Sequence, residues 1–238
     1  RETIGRVAAG AVAVKLLGQL GIELYAYASA IGGIAMDRDS FNLEERDNNP
    51  FAMPDAGAAL KIKEYADRKL EECNSMGGII ECVVKNMPAG IGEPVFDKLD
   101  ANLAKAIMSI GAVKGVEIGD GFAAADSTGL ENNDAFRMKD GHIVKQTNHA
   151  GGILGGMSDG SDIILRAAVK PTPSIAATQH TVSKAGEEID ISIHGRHDPM
   201  IVPRAVVVVE AMTAITLVDM LFMGMTSRLD RIADFYKR

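Results

Sequence analysis

Residues 195–199 read Gly-Arg-His-Asp-Pro and stand just ahead of the longest apolar run in the chain. If that run is a helix, the string presents a guanidinium and a carboxylate near its start. Unpaired N–H groups and the helix dipole favour anions there. Arg196 has the fork geometry that clamps a phosphate, and Asp198 can accept a proton from a reacting group held close to it. The alternative is structural: Asp198 caps the helix and pairs with Arg196. The string alone leaves both open.

A second cluster, Lys170-Pro171-Thr172-Pro173-Ser174, places a cation and two hydroxyls on a turn stiffened by alternate prolines. All three polar side chains are phosphate donors, and the prolines reduce the entropy lost when such a loop is ordered. It reads equally as a rigid connection. Gly151-Gly152-Ile153-Leu154-Gly155-Gly156 lets backbone approach a flat ligand or a phosphate closely. Its spacing is neither that of a dinucleotide fold nor that of a P-loop. The histidines (His142, His149, His180, His194, His197) show no paired metal spacing, so no metal site is expected. Cys73 and Cys82 have neither zinc nor redox spacing and read as ordinary thiols of a reducing compartment.

These clusters need elements to hold them. Residues 3–20 predict a helix crowded with small side chains and stopped by Gly21. Residues 22–34 predict a strand, 37–53 a polar loop, and Pro54-Asp55 the start of a helix reaching about Glu72. Gly77-Gly78 leads into a strand with Glu81 and Lys85 on one face and Ile80, Cys82 and Val84 on the other. Phe96, Leu99, Leu103, Ile107 and Ile110 recur at helical steps. Val113–Ile118 is a strand, and 120–148 is a long polar connection of the kind that closes over sites. Strands IILRAAVK and EIDISIHG precede a helix from about 203, and the charged tail 226–238 is helical. Helices interspersed with alternating, half-polar strands predict an α+β fold, central helices sandwiched between mostly antiparallel sheets.

Composition limits the function. At 238 residues, 47% apolar and 5% aromatic, with no Trp and twelve Met, the chain can bury an aliphatic core without staples. A net charge of −7 argues against nucleic acid as a partner, so any anion must be bound by local cations. Residues 205–225 have about the length of a bilayer span, but Glu210 and Asp219 inside them favour a core helix of a soluble protein over a membrane segment. The opening Arg1-Glu2-Thr3 carries no leader pattern.

Five strings in register, RETIGRVAAGAVA (1–13), PAGIGEPVFDKLDANLAKAIMSIGAVKGVEIGDGF (88–122), AGGILGGMSDG (150–160), KPTPS (170–174) and GRHDP (195–199), resemble chorismate synthases over essentially the whole chain. The resemblance implies one domain over 1–238 with the family's β-α-β sandwich. It also implies a cytoplasmic homotetramer and a lyase of the shikimate pathway to aromatic amino acids. Reduced FMN would assist loss of phosphate from 5-enolpyruvylshikimate 3-phosphate, with a proton leaving C6, to give chorismate. The resemblance implies that the flavin would be reduced either with NADPH on the protein or by an external flavin reductase.

Residue by residue, Gly111, Ala112, Gly155, Lys170, Pro171, Thr172, Pro173, Ser174 and Arg196 resemble flavin-binding positions. Arg1, Ser174 and Arg196 resemble substrate-binding ones, and Asp198 resembles the acid that assists proton transfer at the flavin. Position 111 is often Asn or Gln in relatives, so Gly111 leaves a backbone contact alone. Relatives carry a further region before the Arg-Glu-Thr string, with two catalytic histidines, more substrate arginines and an Arg-Ser-Ser flavin segment. Without that region the expectation is no turnover and weak flavin binding. The remaining class is then a truncated flavin- or phosphate-binding assembly domain.

Overall fold

The computed structural model describes residues 2–193, 195 and 198–237. By internal contacts the chain forms two compact units. The first is Arg1–Ala26, Glu81–Ala167 and Val207–Arg238; the second is Tyr27–Ile80 and Ala168–Val206.

Helix α1 (Thr3–Gln19) ends where Gly21 was expected to end it. Gly21 adopts φ 75°, its N–H donates to Gly18 O, and the N–H of Ile22 donates to Leu17 O. This pair of bonds is the Schellman arrangement, with Leu17 and Ile22 both buried beneath it. The small residues of α1 have a steric reason. A Cβ on Gly10 would lie 2.3 Å from the Cβ of Ala211, closer than side chains can approach.

The strand expected over 22–34 is a hairpin, β1 (Glu23–Ile31) and β2 (Ile34–Ala35). Gly32 and Gly33 both have positive φ (60° and 83°), the requirement of a primed two-residue turn that matches strand twist. Most of 37–53 is loop, as expected, but it contains a 3-10 turn (Arg38–Ser40) and the single-turn α2 (Glu45–Asn48). Helix α3 (Ala56–Glu71) is capped by Asp55, whose carboxylate accepts the N–H of Ala58 at 3.0 Å and that of Asp37 at 2.9 Å.

Strand β3 (Gly78–Lys85) is buried from Ile80 to Val84, Glu81 included, so it has no polar face of the sort the alternation suggested. Helix α4 (Leu99–Met108) buries Leu99, Leu103 and Ile107 as one stripe and is followed by buried Ile110. Phe96 precedes the helix and is 91% exposed, so it does not belong to the stripe. Strand β4 (Val113–Ile118) is as expected.

The polar connection 120–148 contains a 3-10 turn (Gly121–Asp126) and the hairpin β5 (Phe136–Lys139) and β6 (His142–Lys145), turned at Asp140-Gly141. Strands β7 (Ile153–Leu154) and β8 (Met157–Ser158) form a second hairpin, ahead of β9 (Ile163–Val169). A third hairpin follows, β10 (Gln179–Val182) with β11 (Glu188–Ile191); the expected strand 188–195 is half that length. Helix α5 (Val202–Met225) and α6 (Leu229–Tyr236) complete the chain.

The main sheet has the order β2-β1-β3-β9-β4, and the architecture is α+β as predicted. By length and composition α5 could cross a membrane. It is nevertheless a core element, with Val202, Val209, Ala214 and Leu217 fully buried and Glu210 accepting the N–H of Ala26 at 3.0 Å.

Candidate functional site

In the second unit, the Lys170–Ser174 strap leaves the end of β9 over a floor that only glycine permits. A Cβ on Gly77 would sit 2.4 Å from Val169 O and 3.1 Å from the Pro171 ring. The strap is also tied from below, because the Ser75 hydroxyl donates to Thr172 O at 2.6 Å. Two of its donors are unused among the described residues. Lys170 is exposed and has no ion pair among the described residues, and the buried Thr172 Oγ1 has no hydrogen-bond partner. A buried hydroxyl without a partner costs about 1–3 kcal/mol, which a bound acceptor would recover.

Asp198 lies in the same unit, with Gly195, Ile175, Ala176 and Cys73 around a cavity of about 120 Å³. Its carboxylate is gripped by Arg204 in the first turn of α5, Nη1 to Oδ2 at 2.5 Å and Nη2 to Oδ1 at 3.1 Å. The structural alternative paired Asp198 with Arg196, which lies outside the described residues; among the described residues the carboxylate is held by Arg204, six residues on. Two parallel N–H···O bonds fix the plane of the carboxylate. Arg196 and Arg1 lie outside the described residues.

In the first unit, Gly111-Ala112 turns the chain from α4 into β4. Ala112, not Gly111, takes the left-handed conformation (φ 71°), and a Cβ on Gly111 would meet nothing within 4 Å. Arg6 of α1 holds this turn from the side, donating to Ser109 Oγ at 2.7 Å and to Ser109 O at 3.2 Å. A cation on the last carbonyls of a helix also complements its dipole. Gly155-Gly156 is the two-residue turn of β7–β8, at φ 62° and 87°. Gly155 faces open space, whereas a Cβ on Gly156 would collide with Lys98. The space beside Gly111 and Gly155 is therefore open.

The sequence reading did not find the polar cluster behind that turn. Lys145 Nζ lies 3.2 Å from Asp134 Oδ2 and 2.5 Å from Asp159 Oδ2, with all three side chains nearly buried. Burial alone would raise the Asp134 carboxyl. The N–H groups of Ala150 and His149, the Thr147 hydroxyl and Lys145 outweigh it and bring the carboxyl down to about 2. The Asp140-Gly141 dipeptide between two alternating runs was the available signal for the hairpin that delivers Lys145. The spacing of Asp134, Lys145 and Asp159 gives none for the cluster. Cys82 is buried, and burial first, then the nearby Glu210 and Glu81 carboxylates, push its thiol up to about 12 against a contact from Thr213. It is unreactive at neutral pH.

Comparison with known proteins agrees along the whole chain. Residues 1–222 match the family model for chorismate synthase. A chorismate synthase of Lachnospira eligens is 66% identical over all 238 residues, and one of Archaeoglobus fulgidus is 53% identical over 232 residues, 96% of the chain. The chain spans 65% and 64% of their lengths, respectively. A crystal structure of chorismate synthase superposes with a TM-score of 0.78 at 30% identity, over 100% of this chain and 67% of that one. The five strings, the α+β architecture and these matches agree, and the chain belongs to the chorismate synthase family.

Proposed function

We propose that this chain serves a chorismate synthase activity, the elimination of phosphate from 5-enolpyruvylshikimate 3-phosphate to give chorismate. The observation that carries this reading is the match of the entire chain, at up to 66% identity, to proteins with that activity in their name. The residues present also fit a flavin phosphate. Among the described residues Lys170 has no ion pair and the buried Thr172 hydroxyl no acceptor, both on a strap already ordered by two prolines.

Reduced FMN, when bound, supplies the electron density that helps expel phosphate and is not consumed overall. Lys170 neutralises phosphate charge, while Thr172 and Ser174 donate hydrogen bonds. Pro171 and Pro173 hold the strap in shape. Gly111, Ala112 and Gly155 would offer backbone contacts to the flavin. Asp198 takes a proton on a carboxylate oxygen, in an orientation set by Arg204. Arg196 and Arg1 complete the anion contacts in this proposal. The same proposal includes a cytoplasmic homotetramer supplied with reduced flavin through NADPH or an external reductase.

The test is chorismate formation by the complete polypeptide with chemically reduced FMN under anaerobic conditions. Chorismate and phosphate released in equal amounts is the expected result. No product, with FMN and substrate both bound, would overturn the reading.

A further inference from the structure

The Lys145 cluster is more than a surface ion pair. The side chains of Lys145, Asp134 and Asp159 are 5%, 8% and 9% exposed, so one ammonium and two carboxylates are held almost out of water. Such a group is costly to bury, and removing one member leaves the others uncompensated. Its effect is to specify geometry, and its bonds show which geometry. Asp134 accepts the N–H groups of His149 (2.7 Å) and Ala150 (3.0 Å), where the chain enters the glycine-rich segment. Asp159 stands where the chain leaves it, its N–H donating to Gly152 O at 3.0 Å and its carboxylate accepting from Ser161 N at 2.9 Å. Lys145 joins the two ends. Between them β7, the Gly155-Gly156 turn and β8 project, with Gly155 in open space.

We propose that Lys145 is a positioning residue: by bridging Asp134 and Asp159 it clamps the base of the β7–β8 hairpin and so sets where the Gly155 backbone meets the flavin. This rests on the reading of Gly155 as a flavin contact. The Lys145 ammonium is nearly buried between the two carboxylates, so its loss acts on affinity through the hairpin and leaves the chemical step alone.

The experiment uses the complete polypeptide with three substitutions: Lys145→Met, which keeps the length and loses the charge, Lys145→Arg, which restores it, and Gly155→Ala, which probes the turn directly. FMN titration, kcat at saturating reduced FMN and amide hydrogen exchange over 153–157 are measured. Lys145→Met is expected to weaken FMN binding about tenfold, the size of one lost hydrogen-bonding contact. Exchange over the hairpin should quicken while kcat holds, and Lys145→Arg should recover most of the affinity. If Gly155→Ala weakens FMN and folded Lys145→Met does not, the positioning role is overturned. If neither weakens it, the flavin reading of the turn falls, and the proposal with it. Should Lys145→Met fail to fold, Asp159→Asn, which leaves the Lys145–Asp134 pair, carries the test. A smaller loss of FMN affinity supports the proposal, and an unchanged one overturns it.

Discussion

The glycine hairpin at 151–160 and the proline strap at 170–174, both drawn on in the proposed function, treat their polar groups in opposite ways. In the hairpin nearly everything is satisfied internally. Ser158 Oγ accepts from Ile91 N at 3.0 Å and donates to Pro88 O at 2.5 Å, Asn148 bonds Gly152 N and Asp162 O, and the Lys145 cluster locks both ends. The strap is stiff in its backbone but leaves Lys170 exposed and the Thr172 hydroxyl buried without a partner among the described residues. The hairpin is therefore a finished scaffold that offers shape, and the strap is an unfinished one that offers donors. Their substitutions should differ accordingly.

The largest effect is expected beside the strap, in its own unit. Asp198→Ala in the complete polypeptide should lower kcat about a hundredfold or more, the usual range for a lost proton-transfer group. FMN affinity should barely change. Steady-state kinetics and a flavin titration check this, and unchanged turnover would remove Asp198 from the chemistry.

Next comes the hairpin. Ser158→Ala strands a buried N–H and a carbonyl together and should cost about 2 kcal/mol of stability in urea unfolding. If the variant is as stable as the parent, the hairpin is not the closed network described here. Thr172→Val is the counterpart in the strap. It removes a donor that has no partner, so unfolding stability should hold or rise, while FMN affinity should drop about fivefold with the lost hydrogen bond. A loss of stability without loss of affinity would reverse the contrast.

The smallest effect is in acid. Asp134 has its folded-state carboxyl lowered to about 2 from an ordinary 3.8. The stability it lends is complete above the ordinary value and disappears as pH falls toward 2. Unfolding measured across that window should lose part of its acid dependence in Asp134→Asn, and an unaltered slope would exclude the cluster as its source.

Much of this was legible in the sequence, and the reasons are local. Gly21, Asp55 and the 99/103/107 stripe each carry a one-residue or one-face rule, and each fixed an element boundary or a buried side. The KPTPS strap and Asp198 stood out as candidates because phosphate and proton chemistry need those residue types, and their roles remain part of the proposed function. Other features depended on tertiary partners. Glu81 was expected to share a polar face with Lys85, but β3 is buried from Ile80 to Val84, and Phe96 fitted the helical period yet lies before the helix. Arg204 became the partner of Asp198 only through the start of α5, and Lys145 meets Asp134 and Asp159 through folding that no spacing announces.

The unfinished strap is the centre of the account, and its exposed cation is the most direct place to test it. FMN should be titrated into the complete polypeptide and into Lys170→Ala. A dissociation constant raised about tenfold, as for a lost charge-assisted hydrogen bond, is the predicted result. Superimposable titration curves would contradict it.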